Sequence, residues 1–240
     1  MISIALFLSV APAYSQALQQ TKGNFVDKFR QLDEDLPTPN ETRLASGAPG
    51  PDYWQQDVDY DIKVRLNENA RRIIGQETIT YTNNSPHTLT YLWLQLDQNR
   101  FRADSMGNLS QTARESTRLS YYAIRRAKAL ESFNGGYDIR NVETAAGAEL
   151  EFIITDTNMR IDLPAALGPG ETFEFSMNFA FNIYDQKIIG GRAGYECFED
   201  EDEDGNCIFL IAQWFPRLHA YTDYEGWNNK QFLGSGEFTL

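Results

Sequence analysis

Apolar and polar residues alternate along much of this chain from Tyr53 onward. Val58, Tyr60, Ile62, Val64 and Leu66 alternate with Asp59, Asp61, Lys63 and Arg65, the period-two pattern of a half-buried strand. Asn67-Glu68-Asn69 supplies a turn, residues 72–83 continue as a second strand antiparallel to the first, and Asn83-Asn84-Ser85-Pro86 breaks it. Residues 89–96 are apolar on both faces, which predicts a central strand covered on both sides, with Trp93 in the core. Residues 97–117 are polar and irregular and predict loops with short helical turns. Residues 121–130 predict a further strand, Asn134-Gly135-Gly136 a turn, and 150–154 and 159–163 two short strands. After the turn Gly168-Pro169-Gly170, Phe173, Phe175, Met177, Phe179 and Phe181 alternate with polar or small residues. That is the cleanest strand in the chain. Its apolar face should be wholly buried, each side chain contributing roughly 1.5–3 kcal/mol before conformational entropy is charged.

Strand after strand, turns between them and almost no helix predict an all-β fold, either an antiparallel β-sandwich or a large twisted sheet. The N-terminal part reads differently. Phe25, Val26, Phe29 and Leu32 are spaced for a short amphipathic helix, and residues 36–51, rich in Pro, Gly and small polar residues, read as a linker or extended arm. The organisation expected is therefore a leader over 1–15, a helical and linker arm over 16–50, and one β-domain over 51–240. No repeat of fixed period interrupts it. Gly234-Ser235-Gly236 is a turn and residues 237–240 begin another strand, so the sequence is expected to be the N-terminal part of a longer polypeptide.

Charge and leader change the picture in two ways. The formal charge of −13 opposes binding to nucleic acid and to anionic membrane surfaces, although much of the excess lies in one run, Glu196 to Asp204. The block Ile2–Val10 is too short to span a bilayer, and Ala13-Tyr14-Ser15 fits a signal-peptidase site, without the usual basic n-region. This predicts a secreted or periplasmic protein with no integral membrane segment beyond the signal peptide. In an oxidising compartment Cys197 and Cys207, which flank the acidic run, are expected to form a disulfide that pins the base of a hairpin.

Several chemistries are missing. The only two histidines, His87 in a turn and His219 in an aromatic segment, cannot assemble a His-based zinc site, and the cysteine spacing matches no compact zinc motif. No nucleophile elbow, Walker loop or dinucleotide fingerprint is present. Asp200, Asp202, Asp204 and Gly205 match half of an EF-hand loop, but Ile211 stands where the bidentate Glu belongs, so a solvated hairpin tip is the better reading. What stands out is the segment 211–227, IAQWFPRLHAYTDYEGW. It packs Trp214, Phe215, Tyr221, Tyr224 and Trp227 around one amide, Gln213, and one guanidinium, Arg217. Large rings with a few directional polar groups make a buried joint or the wall of a ligand pocket. Gln213 and Arg217 are the candidate substrate-binding residues. A stand-alone module that binds peptide, protein or, through Trp214 and Trp227, carbohydrate is the alternative.

Pro51-Asp52-Tyr53-Trp54, then Val58-Asp59-Tyr60-Asp61-Ile62 and Gly75-Gln76-Glu77-Thr78-Ile79-Thr80-Tyr81, resemble the opening of secreted bacterial members of the aminopeptidase N family, the gluzincin zinc metallopeptidases. Asn83-Asn84-Ser85-Pro86, the run Tyr91-Leu92-Trp93-Leu94-Gln95-Leu96-Asp97-Gln98-Asn99, Ile211-Ala212-Gln213-Trp214-Phe215-Pro216-Arg217, Gly226-Trp227 and Gly234-Ser235-Gly236-Glu237-Phe238 continue the resemblance to the end of the sequence. It implies an N-terminal β-domain that packs on a thermolysin-like catalytic domain of the same polypeptide. In the family that domain carries H-E-x-x-H, a downstream Glu and the zinc; this sequence contains none of these ligands. In several members a glutamine of the N-terminal domain helps to hold the α-amine of the peptide substrate, and Gln213 is the candidate by its place before the Phe-Pro pair. An amide oxygen can accept from an ammonium without burying a second charge.

Overall fold

The computed structural model describes residues 39–110, 118–198 and 206–234. The expected leader over 1–15, the helix over 19–35, the acidic tip over 199–205 and the last strand over 237–240 lie outside the described residues. The rest is an antiparallel β-sandwich. One sheet runs in the order β1 (Asp57–Asn67), β2 (Arg72–Thr82), β7 (Thr172–Asn182), β4 (Asp138–Thr144). The other runs β10 (Arg217–Leu218), β3 (Leu89–Gln95), β6 (Asn158–Leu167), β5 (Phe152–Thr155). Two small hairpins complete it, β8 (Gly194–Cys197) with β9 (Cys207–Leu210) and β11 (Tyr221–Thr222) with β12 (Gly226–Trp227).

The period-two pattern sets the layers. Ile73, Ile79 and Tyr81 of β2 and Phe175, Met177, Phe179 and Phe181 of β7 face inward, against Leu92 and Leu94 of β3 and Met159 and Ile161 of β6. The expected buried face of β7 is complete except at Phe173, which is half-buried near the strand's start. One contact in this core requires a glycine. Gly75 lies opposite Phe179 in the β2–β7 register, and a Cβ there would stand 2.3 Å from the Phe179 ring.

Two expectations change, and a third finding is a strand the pattern does not predict. Residues 121–130 are not a strand but lie within the helix Tyr121–Ser132, capped by the Ser120 hydroxyl, which accepts from the Ala123 N–H at 3.1 Å. Ala, Arg, Lys and Leu fill it, and all are good helix formers. Second, β3 is central in its sheet but is not covered on both sides. Leu92 and Leu94 are buried inward, whereas Trp93 is half-buried on the outer face beside Tyr91. Trp93 is therefore not a core residue. Third, β4 has too few apolar residues to stand out, and it pairs with β7 through a bulge between Arg140 and Glu143. The expected disulfide is present: Cys197 is bonded to Cys207 and the two are paired at the base of the β8–β9 hairpin.

Candidate functional site

The segment 211–234 laces the second sheet to the rest of the domain. β10 pairs with β3, His219 N–H donates to the Trp93 carbonyl at 2.8 Å, and Asn228 N–H donates to Ala220 at 2.9 Å. Further on, Asn158 Nδ2 donates to Asn229 O, the Gln231 side chain accepts from and donates to the 155–157 turn, and Phe232 N–H donates to Thr157 Oγ1 at 2.7 Å. The rings of the segment turn inward. Phe215 meets Tyr60 edge-on at 5.3 Å, Trp214 lies 6.4 Å from Phe179, Trp227 stacks on Tyr81 at 6.1 Å, and Tyr221 stacks on Trp54 at 5.7 Å. Trp214 and Trp227 are thus both spent on the protein's own core. Tyr224 is the exposed ring of the set, beside the guanidinium of Arg43, which is paired with Asp223 at 2.7 Å.

Within this joint Gln213 has an unusual setting. Its backbone is left-handed, with φ 50°, a conformation that costs a non-glycine residue about 1 kcal/mol or more and persists only where neighbours enforce it. The neighbours are visible. The Gln213 carbonyl accepts from Gln98 Nε2 at 3.1 Å and from the Tyr137 hydroxyl at 3.2 Å, and Gln98 also donates to the Ala212 carbonyl at 3.1 Å. Both donors are buried and held in turn: Asn99 Oδ1 accepts from the Tyr137 N–H at 2.8 Å, and Gln98 lies in the 3-10 helix Asp97–Phe101. The half-buried Gln213 side-chain amide makes no hydrogen bond among the described residues. Its backbone is fixed while its amide is free for a ligand.

Arg217 is placed close in sequence but is committed. Its guanidinium pairs with Asp97 at 3.3 Å, and Asp97 is buried and also accepts from Gln95 Nε2 at 2.5 Å. The structure therefore makes Arg217 a brace between β10 and the 3-10 helix.

The histidines fall where expected. His87 is exposed and its Nδ1 lies 2.9 Å from the Tyr221 hydroxyl. His219 is buried, with Nε2 3.0 Å from Asn158 Oδ1; burial, with a smaller contribution from the Arg217 charge, lowers its pKa to about 4. The acids near it in sequence serve other partners, Asp223 with Arg43 and Glu225 with Lys230. Among the described residues no group of three or more His, Cys, Asp or Glu is placed to hold a metal.

Pattern reading passed over the groups that hold the site. Gln98 and Asn99 follow an apolar strand in an amide-rich run, which was a usable sign of buried hydrogen bonding. Tyr137 gave none. Nor did Glu77, fully buried between the sheets with no hydrogen-bond partner for either carboxyl oxygen. Burial drives its pKa up to about 9, and the same burial pushes the Tyr60 hydroxyl, near the Glu77 carboxyl and beneath Phe215, up to about 12. Neither of the larger clefts described, of about 650 and 460 Å³, is lined by a residue of the 211–227 segment.

No family model matches this sequence, and no curated protein does. Solved structures do. An M1 zinc metallopeptidase variant from Deinococcus radiodurans, bound to a Tyr-Ser-Ala substrate, is 16% identical over 62% of this chain and 26% of its own, with a TM-score of 0.35. A two-domain M1 zinc metallopeptidase bound to L-tryptophan is 15% identical over 57% and 22%, with a TM-score of 0.33. A GH20 exo-β-N-acetylglucosaminidase from Vibrio harveyi is 10% identical over 68% and 17%, with a TM-score of 0.26. The chain spans about a quarter or less of the length of these proteins. Likeness at this level decides neither fold nor activity, and the reading of the site rests on its residues.

Proposed function

We propose that this chain is the non-catalytic N-terminal β-domain of a secreted, zinc-dependent aminopeptidase, that it packs on a catalytic domain encoded beyond Leu240, and that Gln213 helps to hold the free amino end of the peptide substrate. The single observation that carries the role of Gln213 is its setting. The backbone is held left-handed by Gln98 and Tyr137, and the side-chain amide has no partner among the described residues. A pre-positioned carbonyl oxygen of this kind accepts from an α-ammonium, and the strain at its backbone is of the sort that collects at ligand-binding positions. Arg217 acts at one remove, pairing with Asp97 to hold the segment that follows Gln213. The placement in the aminopeptidase N family rests on the motifs from Pro51 to Phe238. The Cys197–Cys207 disulfide supports an exported protein. Zinc and the groups that bind it belong to the catalytic domain. The Trp214 and Trp227 rings, turned into the core, argue against the carbohydrate alternative.

The test is made on the whole polypeptide. The reading frame past Leu240 is expected to encode H-E-x-x-H, and the purified protein to release N-terminal residues from peptides but not from N-acetylated ones. Gln213→Ala should lower kcat/KM by about 10- to 100-fold, the worth of a hydrogen bond to a charged group, with zinc content unchanged. A frame without zinc ligands overturns the family placement. An unchanged kcat/KM overturns only the role of Gln213.

A further inference from the structure

β1 is an edge strand of an uncommon kind. Among the described residues it has β2 on one side and no strand on the other. It runs for 11 residues in unbroken register, without proline or bulge, and among the described residues no backbone group of another segment hydrogen-bonds to its free edge. Long free edges invite pairing, and proteins blunt them by shortness, proline, bulges or charge. The opposite edge of the same sheet is blunted: β4 has 7 residues and a bulge. On β1 only charge remains, and its arrangement does not repel. Asp59 and Asp61 precede Lys63 and Arg65 on one face, and none of the four makes an ion pair or side-chain hydrogen bond among the described residues. The other face is apolar and part-uncovered, with Val58, Val64 and Leu66 exposed by 37%, 48% and 36%.

We propose that β1 pairs antiparallel with β1 of a second copy of this chain, joining the two four-stranded sheets edge to edge about a two-fold axis at Ile62. The strand is antisymmetric in charge about that residue, acidic before it at Asp59 and Asp61 and basic after it at Lys63 and Arg65. With Ile62 opposite itself, Asp59 meets Arg65 and Asp61 meets Lys63 of the second copy, and both contacts occur twice by symmetry. On the other face Val58 meets Leu66 and Tyr60 meets Val64, which covers the exposed apolar side chains. The register is specified. A slip of one pair in either direction sets Asp61 or Lys63 against itself, a slip of one residue puts charged side chains on the apolar face, and parallel pairing opposes like charges throughout. A strand of one sign would protect the edge; this one selects its own copy.

The test uses the full chain in sedimentation velocity over a wide concentration range. The wild-type protein is expected to form a reversible dimer that weakens as salt is raised. Lys63→Asp with Arg65→Asp makes the four paired positions 59, 61, 63 and 65 all acidic, and Asp59→Lys with Asp61→Lys makes them all basic. Each double variant should weaken self-association by at least about tenfold, since four favourable pairs become unfavourable. An equimolar mixture should recover the dimer, because every pair is then of opposite sign. Should a variant fail to fold by circular dichroism, hydrogen exchange of wild-type residues 57–67 at low and high concentration replaces it, with protection rising as the dimer fills. A wild-type chain that stays monomeric, a dimer indifferent to either double variant, a mixture that does not associate, or β1 amides protected independently of concentration each overturns the proposal.

Discussion

Glu77 makes the sharpest stability prediction. Its carboxyl lies between the two sheets with no exposure and no hydrogen-bond partner among the described residues, and desolvation raises its pKa from 4.5 to about 9. In the folded protein it therefore keeps its proton up to about pH 9, whereas in the unfolded chain it ionises above pH 4.5. Between these values the unfolded state binds fewer protons, so stability falls as pH rises. The loss starts near pH 4.5, runs at about 1.4 kcal/mol per pH unit and levels off near pH 9. Over the two and a half units to pH 7 it amounts to about 3 kcal/mol, a large share of the roughly 5–15 kcal/mol of a typical domain. Glu77→Gln keeps the shape and cannot titrate. Urea unfolding of both proteins, followed by tryptophan fluorescence at intervals from pH 5 to 8, should show the variant gaining on the wild type by about 1 kcal/mol or more per pH unit. The slope of the difference is the readout, because the buried amide adds a cost of its own that does not vary with pH. Glu77→Met removes the polar atoms and should be the more stable protein at pH 7. A difference between wild type and Glu77→Gln that stays level from pH 5 to 8 would show that the carboxyl has a partner or is already ionised, and would refute the reasoning.

Four further outcomes follow from other contacts. His219 works in the opposite sense: its pKa is lowered from 6.5 to about 4, so its contribution is complete above pH 6.5 and about 3 kcal/mol is lost as pH falls to 4, a loss that His219→Gln should abolish in acid unfolding. Gly75→Ala drives a Cβ into the Phe179 ring and should cost about 1–3 kcal/mol in urea; an unchanged midpoint would mean that the ring moves freely. Replacing Cys197 and Cys207 by serine opens a loop of sequence separation 10 and should cost about 2–3 kcal/mol, with thiol titration of the native protein expected to find no free thiol. Gln213→Gly relieves a left-handed backbone and should stabilise the domain by about 1 kcal/mol, while under the proposed function the same change lowers the activity of the whole polypeptide; loss of both would show that the side chain is structural.

What was legible followed from periodicity. β1 and β7 each carry five apolar residues at alternate positions, β2 follows from the turn after β1, and all three fall where the pattern puts them, with turns at 67–71 and 168–171. The pattern misled where a face is not purely apolar or purely polar. Trp93 is large and on a central strand, yet β6 beside it and the outer surface above it leave the indole half exposed to solvent. Residues 121–130 mix Tyr, Ile and Ala with Arg and Lys, so apolar content suggested a strand while propensity and the Ser120 cap made a helix. The sequence singles out Gln213 by its ring-rich surroundings, but not its geometry. Its left-handed backbone depends on Gln98 and Tyr137, 115 and 76 positions away, and no local pattern encodes contacts at that separation. The pairing of Arg217 with Asp97 is out of reach of a local pattern for the same reason, since Asp97 lies on a different element.

Those distant contacts also explain why so many rings surround so few polar groups. A residue that must offer a free amide to a ligand cannot be held by that amide, so it has to be held by its backbone. In this chain the holding groups are buried amides and a phenol, Gln98, Asn99 and Tyr137, which are strong enough donors only where water is excluded. Trp214 and Phe215 exclude it, packing on Phe179 and Tyr60 directly after Gln213. The aromatic content of the segment is then a requirement of rigidity at one position, and it need not touch a ligand at all. If Gln213 has the proposed role, truncating Phe215 should lower both stability and the binding of a peptide's amino end by the whole polypeptide, whereas Tyr224→Ala, at the exposed ring of the segment, should leave both unchanged. Loss of amine binding in the Tyr224 variant alone would reverse the assignment and make the exposed ring part of the ligand's contact.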